Sequence, residues 1–87
     1  MDMENLVGMA NRIGTFFESM PERDEALKEI RDHIRRYWPP VMRRGLLEQA
    51  AAESGSGLHP LVKAMLMSYA AELVPQESGP GGVRPNR

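Results

Sequence analysis

The side chains able to do chemistry in this 87-residue chain are few: two histidines, His33 and His59, a handful of serines, and no cysteine. A catalytic metal needs three protein ligands and a structural one four. No His-x-x-x-His or Glu-x-x-His spacing supplies them. Without cysteine, a disulfide framework, a Cys-based zinc site and cysteine-ligated iron–sulfur clusters are excluded. Ser54, Ser56 and Ser68 have no base nearby in sequence to activate them. The glycine-rich run Gly55-Ser56-Gly57 is followed by no Lys-Ser/Thr and preceded by no strand pattern, so it does not read as a phosphate loop. His33 falls on an apolar helical stripe, where a half-buried imidazole with one hydrogen-bond partner is expected rather than a ligand. His59 reads as a helix-start residue. The many carboxylates fit solvated helix faces, with Asp24–Lys28 and Asp32–Arg36 spaced as i,i+4 pairs, each worth about 0.2–0.5 kcal/mol. The search for a catalytic set comes up short, and a small enzyme stays open as a rival class whose site these residues do not show.

One stretch stands apart. Residues 31–44, Arg-Asp-His-Ile-Arg-Arg-Tyr-Trp-Pro-Pro-Val-Met-Arg-Arg, hold five arginines and one acid in a chain of net charge −1. The segment before it, residues 18–30, is acidic, so the molecule is expected to be electrically polar while nearly neutral. At 100° per residue, Arg31, Arg35 and Trp38 fall along one edge of a helix, with Trp38 half in the core and half beside arginines. Arg and Trp are the types most enriched at binding hot spots, and a guanidinium can stack on an indole. The site expected to contact a partner is therefore Arg31, Arg35, Arg36, Trp38, Pro40, Arg43 and Arg44. The competing account is a core tryptophan flanked by solvated arginines that answer a helix dipole. Nucleic acid is the other partner such a patch admits, but the acidic neighbour would repel phosphates and few aromatics are present to stack on bases.

The elements that carry these residues are helical. Apolar residues recur at helical spacing, β-branched residues are scarce, and period-two alternation is rare. A first helix is predicted over residues 3–19 (Leu6, Val7, Ala10, Ile13, Phe17), with Gly14 inside its stripe, where a missing side chain would let another backbone approach closely. Ser19 and Glu22 fit a capping box for a second helix over residues 22–38. Its face is Ala26, Leu27, Ile30, His33, Ile34, Tyr37 and Trp38. Pro39-Pro40 stops it. A third helix is predicted over residues 40–53 and a fourth over residues 60–73, separated by the Ser54–Gly57 loop. The expected architecture is all-α, a small bundle of three to four helices over residues 1–74, with a Pro- and Gly-rich disordered tail over residues 75–87. A domain this small buries only about 60% of its unfolded surface, so a partner can add much to its stability. The acidic start lacks the basic region of a signal peptide and no apolar run approaches a membrane span, which gives an expectation of a cytoplasmic protein.

Three blocks together resemble the delta subunits of NAD-dependent, molybdenum-containing formate dehydrogenases. They are Met9-Ala10-Asn11-Arg12-Ile13-Gly14-Thr15-Phe16-Phe17, the stretch from His33 to Arg44 with Trp38, Pro40, Met42, Arg43 and Arg44, and Gly57-Leu58-His59-Pro60-Leu61-Val62. The resemblance covers about residues 3–73. It implies a non-catalytic accessory subunit that docks on the alpha subunit and supports assembly or stability of a cytoplasmic complex. It also implies that the cofactors lie in the partner subunits: molybdopterin and iron–sulfur clusters in alpha, flavin in beta, a further cluster in gamma. No catalytic, cofactor-binding or metal residue is carried over to this chain. His59 stands where the family pattern has an acidic residue, which implies a weaker cap on the fourth helix. The alternative expectation is a free-standing small helical regulator binding nucleic acid or another protein.

Overall fold

The computed structural model describes residues 3–52 and 57–75. They form four helices: α1 (Met3–Phe17), α2 (Arg23–Tyr37), α3 (Pro40–Ala51) and α4 (Pro60–Leu73). No strand occurs among the described residues, so the all-α expectation holds. The Ser54–Ser56 part of the expected loop and the tail from residue 76 lie outside the described residues. Pro75, assigned to the tail from sequence, is buried.

Each helix lies where its apolar period demands. Leu6 and Ala10 of α1, Leu27, Ile30 and Ile34 of α2, and Leu46 of α3 turn inward onto Leu61, Val62, Met65, Leu66 and Leu73 of α4. The fourth helix packs most extensively on α2 and also touches α1 and α3. This explains its weak amphipathicity, since a helix covered on several sides needs apolar residues around most of its circumference. Burial of side chains such as Ile30, Ile34 and Leu46 stabilises the fold by about 1.5–3 kcal/mol each. The fourth helix is interrupted at Tyr69 (φ −129°, ψ 16°), outside helical geometry.

The helix ends depart from the sequence reading. Glu22 occupies the N-cap of α2 with no side-chain capping bond, so the Ser19–Glu22 capping box does not form. The first turn of α2 instead carries Asp24 and Glu25, whose charges favour the positive end of the dipole. The second helix ends at Tyr37, and Trp38 and Pro39 take extended backbone angles before α3 begins at Pro40. The expected i,i+4 pairs are replaced by shorter-range ones. Lys28 Nζ lies 3.9 Å from Glu25, and Asp32 Oδ1 accepts from Arg31 Nε at 2.9 Å.

Candidate partner interface

Two polar clusters lie outside the core, and they differ in how far their groups are satisfied. The first joins α1 to the turn that starts α4. Asn11, Gly14 and Glu18 share one face of α1 and its continuation, at i, i+3 and i+7. Asn11 Nδ2 donates to the Gly57 carbonyl at 2.6 Å, and its Oδ1 accepts from the His59 backbone N–H at 2.7 Å. The turn needs Gly57, whose φ of 97° suits glycine alone at little cost. His59 Nδ1 accepts from the Leu61 N–H at 3.0 Å, so the ring caps α4. With Nδ1 an acceptor, the proton is on Nε2, which donates to Glu18 Oε1 at 2.8 Å. The ring rests directly on Gly14. A Cβ built there would stand 2.8 Å from His59 Cγ. The gap in the α1 stripe therefore admits an imidazole, not a second backbone. The weaker cap expected from a histidine before Pro60 does not materialise, because the ring supplies the acceptor an acid would have given.

The second cluster is the arginine corner, and the structure divides it. Arg31 turns away from the others. Its guanidinium holds Asp32, approaches Glu72 Oε1 of α4 at 3.6 Å, and lies over the Tyr69 ring at 4.7 Å. Hydrogen bonding to Asp32 raises the Arg31 pKa, and the same bond, with Arg35 and Arg36 nearby, lowers that of Asp32. Arg31 is thus an internal strut between α2 and α4. Trp38 is 6% exposed and belongs to the core, which corrects the edge position expected for it. Once the helix has ended, the 100° progression no longer applies. The extended backbone at the C-cap turns the indole inward.

Arg35, Arg36 and Arg43 come together with Asp32 around a shallow cavity of about 280 Å³ between α2 and α3. Arg35 and Arg36 are exposed and Arg43 is half-buried. Among the described residues, Arg43 Nε is the buried side-chain nitrogen without a hydrogen-bond partner. An unmet buried donor of this kind costs about 1–3 kcal/mol, and more if charged. Pro40 and Arg44 are exposed on α3 outside the cavity lining. Next to it lies a second cavity of about 200 Å³ that shares Asp32 and Arg36 and is bounded by Phe17, Glu29, His33 and Tyr37. His33 is half-buried and rests against the Tyr37 ring, centroids 4.9 Å apart, a ring contact where a hydrogen bond was expected. Tyr37 is 64% exposed although periodicity placed it on the apolar face. Among the described residues no group of three or more His, Asp or Glu is placed to hold a metal ion, and no helix is long and apolar enough to cross a membrane.

A family model described as the NADH-dependent formate dehydrogenase delta subunit, FdsD, matches residues 5–66. The chain belongs to the FdsD family. No curated protein and no solved structure shows significant similarity to it. The FdsD match runs from α1 into α4 and contains both polar clusters whole, apart from the Arg31 contacts to Tyr69 and Glu72. Two of the blocks that carry the family resemblance, residues 9–17 and 57–62, meet in space through Asn11, Gly14 and His59. They tie α1 to the start of α4 in this chain, and the third block carries the arginines. Sequence reasoning missed this junction. Gly14 was its one visible sign, and nothing local in the sequence pairs it with a residue 45 positions away.

Proposed function

We propose that this chain is a non-catalytic accessory subunit that docks on the molybdenum-bearing alpha subunit of a cytoplasmic NAD-dependent formate dehydrogenase and supports its assembly or stability. Membership of the FdsD family supports the complex to which it belongs. The observation that carries the docking surface is the cleft of Arg35, Arg36 and Arg43, where an arginine donor is buried without a partner in the isolated chain. Molybdopterin, iron–sulfur clusters and flavin belong in this reading to the partner subunits, and the chain adds binding surface alone.

The test is two measurements on one variant. Arg35→Ala combined with Arg43→Ala is expected to keep the melting temperature within a few degrees. It is expected to lose about 2 kcal/mol or more of affinity for the alpha subunit, as truncated interface anchors do. If retention on the alpha subunit is unchanged, or falls only as far as unfolding accounts for, the arginines are solvated helix ends and the docking surface lies elsewhere.

A further inference from the structure

We propose that the cleft between α2 and α3 receives a carboxylate side chain of the partner protein, and that Tyr37, in the adjoining hollow, grips an apolar side chain next to it. The proposal rests on the subunit reading above and goes beyond it by naming the chemistry of the docked segment. It also replaces Trp38, which is buried, with Tyr37 as the aromatic anchor.

Three observations converge. First, the cleft has donors to spare. Arg35, Arg36 and Arg43 face one carboxylate, Asp32, whose Oδ1 is already taken by Arg31. Arg35 and Arg36 are exposed and Arg43 half-buried along the cleft, and a guanidinium is a planar fork that matches a carboxylate in bidentate geometry. Second, the surface is continuous. Asp32 and Arg36 line both hollows, so a group bound among the arginines lies beside Tyr37. The Tyr37 ring is exposed yet held against His33, so less freedom is lost when it is covered. Third, the charge is graded. Glu29 lies at the tyrosine end and the arginines at the other. An isolated carboxylate beside an apolar residue fits that gradient. A run of nucleic-acid phosphates would have to cross Glu29 and Asp32 and meets repulsion.

The experiment uses the full chain co-expressed with the alpha, beta and gamma subunits. A photo-crosslinking phenylalanine analogue is placed at Tyr37 and, in a separate protein, at the exposed Met67 of α4. Position 37 is expected to yield an adduct with an alpha-subunit peptide that carries Asp or Glu at or beside the crosslinked residue. Arg36→Glu, at an exposed position, is expected to weaken retention by roughly tenfold or more while the melting temperature stays within a few degrees of the parent. Replacing the crosslinked peptide's carboxylate with Arg is expected to restore it in the Arg36→Glu background. Adducts from position 67 alone, undiminished retention of Arg36→Glu, or failure of the charge swap would overturn the carboxylate cleft and leave the subunit reading standing. Failure of the unmodified chain to co-purify with the other subunits would overturn both. Binding of a short DNA duplex by the isolated chain at physiological salt, abolished by Arg36→Glu, would also overturn the proposal and assign the cleft to nucleic acid.

Discussion

The two polar clusters contrast most clearly in their donors and acceptors. Where α1 meets the start of α4, Asn11, His59 and Glu18 use both ring nitrogens, both ends of an amide and a carboxylate within one closed set of bonds. Between α2 and α3, three guanidiniums surround one already engaged carboxylate, and a buried donor is left over. A buried polar group left unmet in a folded chain calls for a reason, and in the proposal above the partner supplies it. The closed cluster ties α1 to the start of α4, and the open one is the docking surface proposed above, although both are polar and both fall within the family match.

Substitutions can test that division. The largest effect on stability is expected at Gly14→Ala. Helix propensity alone would favour alanine by about 1 kcal/mol. The new Cβ, however, would stand 2.8 Å from His59 Cγ, displacing the ring with its cap and its bond to Glu18. A net loss of about 1–3 kcal/mol follows from such overpacking. At this size it appears as a drop in melting temperature of roughly 4–8 °C per kcal/mol. Gly8→Ala is the control on the same helix: its Cβ would meet nothing within 4 Å, and a gain of up to about 1 kcal/mol is expected. If both variants melt alike, the His59 contact carries no weight in the fold.

The second expectation concerns Arg43→Met, which keeps the aliphatic stem and removes the unbonded donor. Thermal unfolding of the isolated chain is expected to stay within about 0.5 kcal/mol of the parent or to improve. A loss of 2 kcal/mol would move the arginine corner into the structural class and end the contrast. The smallest effect is expected at Asp32→Asn. The bond to Arg31 lowers the folded pKa of Asp32, so its contribution is present above the ordinary carboxylate pKa and is lost as pH falls through the depressed value. The parent is expected to melt slightly above Asp32→Asn at neutral pH, by a few tenths of a kcal/mol for so exposed a pair. The curves should converge below the usual carboxylate range. A gap that persists in strong acid would mean that the charge of Asp32 is not what matters.

The helices were legible from apolar residues at helical spacing, a clear stripe in α2 and a nearly all-round apolar surface in α4. Ile30 and Ile34 declare α2, and Leu61, Met65 and Leu66 declare α4, from spacing within one segment. Ends were less legible. Ser19 and Glu22 had the residue types of a capping box, but the chain between α1 and α2 uses the backbone bond from Met20 N–H to the Phe17 carbonyl instead. The candidate interface was half legible. Composition located the arginines, but which of them share a cleft depends on how the corner at Trp38 and Pro39 sets the start of α3 against the end of α2, and Arg31 was lost to Tyr69 and Glu72 of α4. Trp38 and Tyr37 exchanged roles because helical geometry stops between them. The helix-start reading of His59 held, since its ring caps α4, but its contacts with residues 11, 14 and 18 were opaque because they are purely tertiary.

The dominance of α4 in the core bears on how the chain comes to be folded at all. Synthesis proceeds from the amino end, so α2 and α3 are made before α4, the helix each packs on most, exists. Ile30 and Ile34, fully covered in the finished molecule, wait for Val62 and Met65. The bundle consequently closes by a late, long-range step, with the loop-closure entropy of that step met only when α4 arrives. Until then the segment bearing the arginines is a partly helical chain with its apolar side open. Co-translational folding of the first three helices alone is not expected, and truncation before α4 should yield a protease-sensitive product that aggregates.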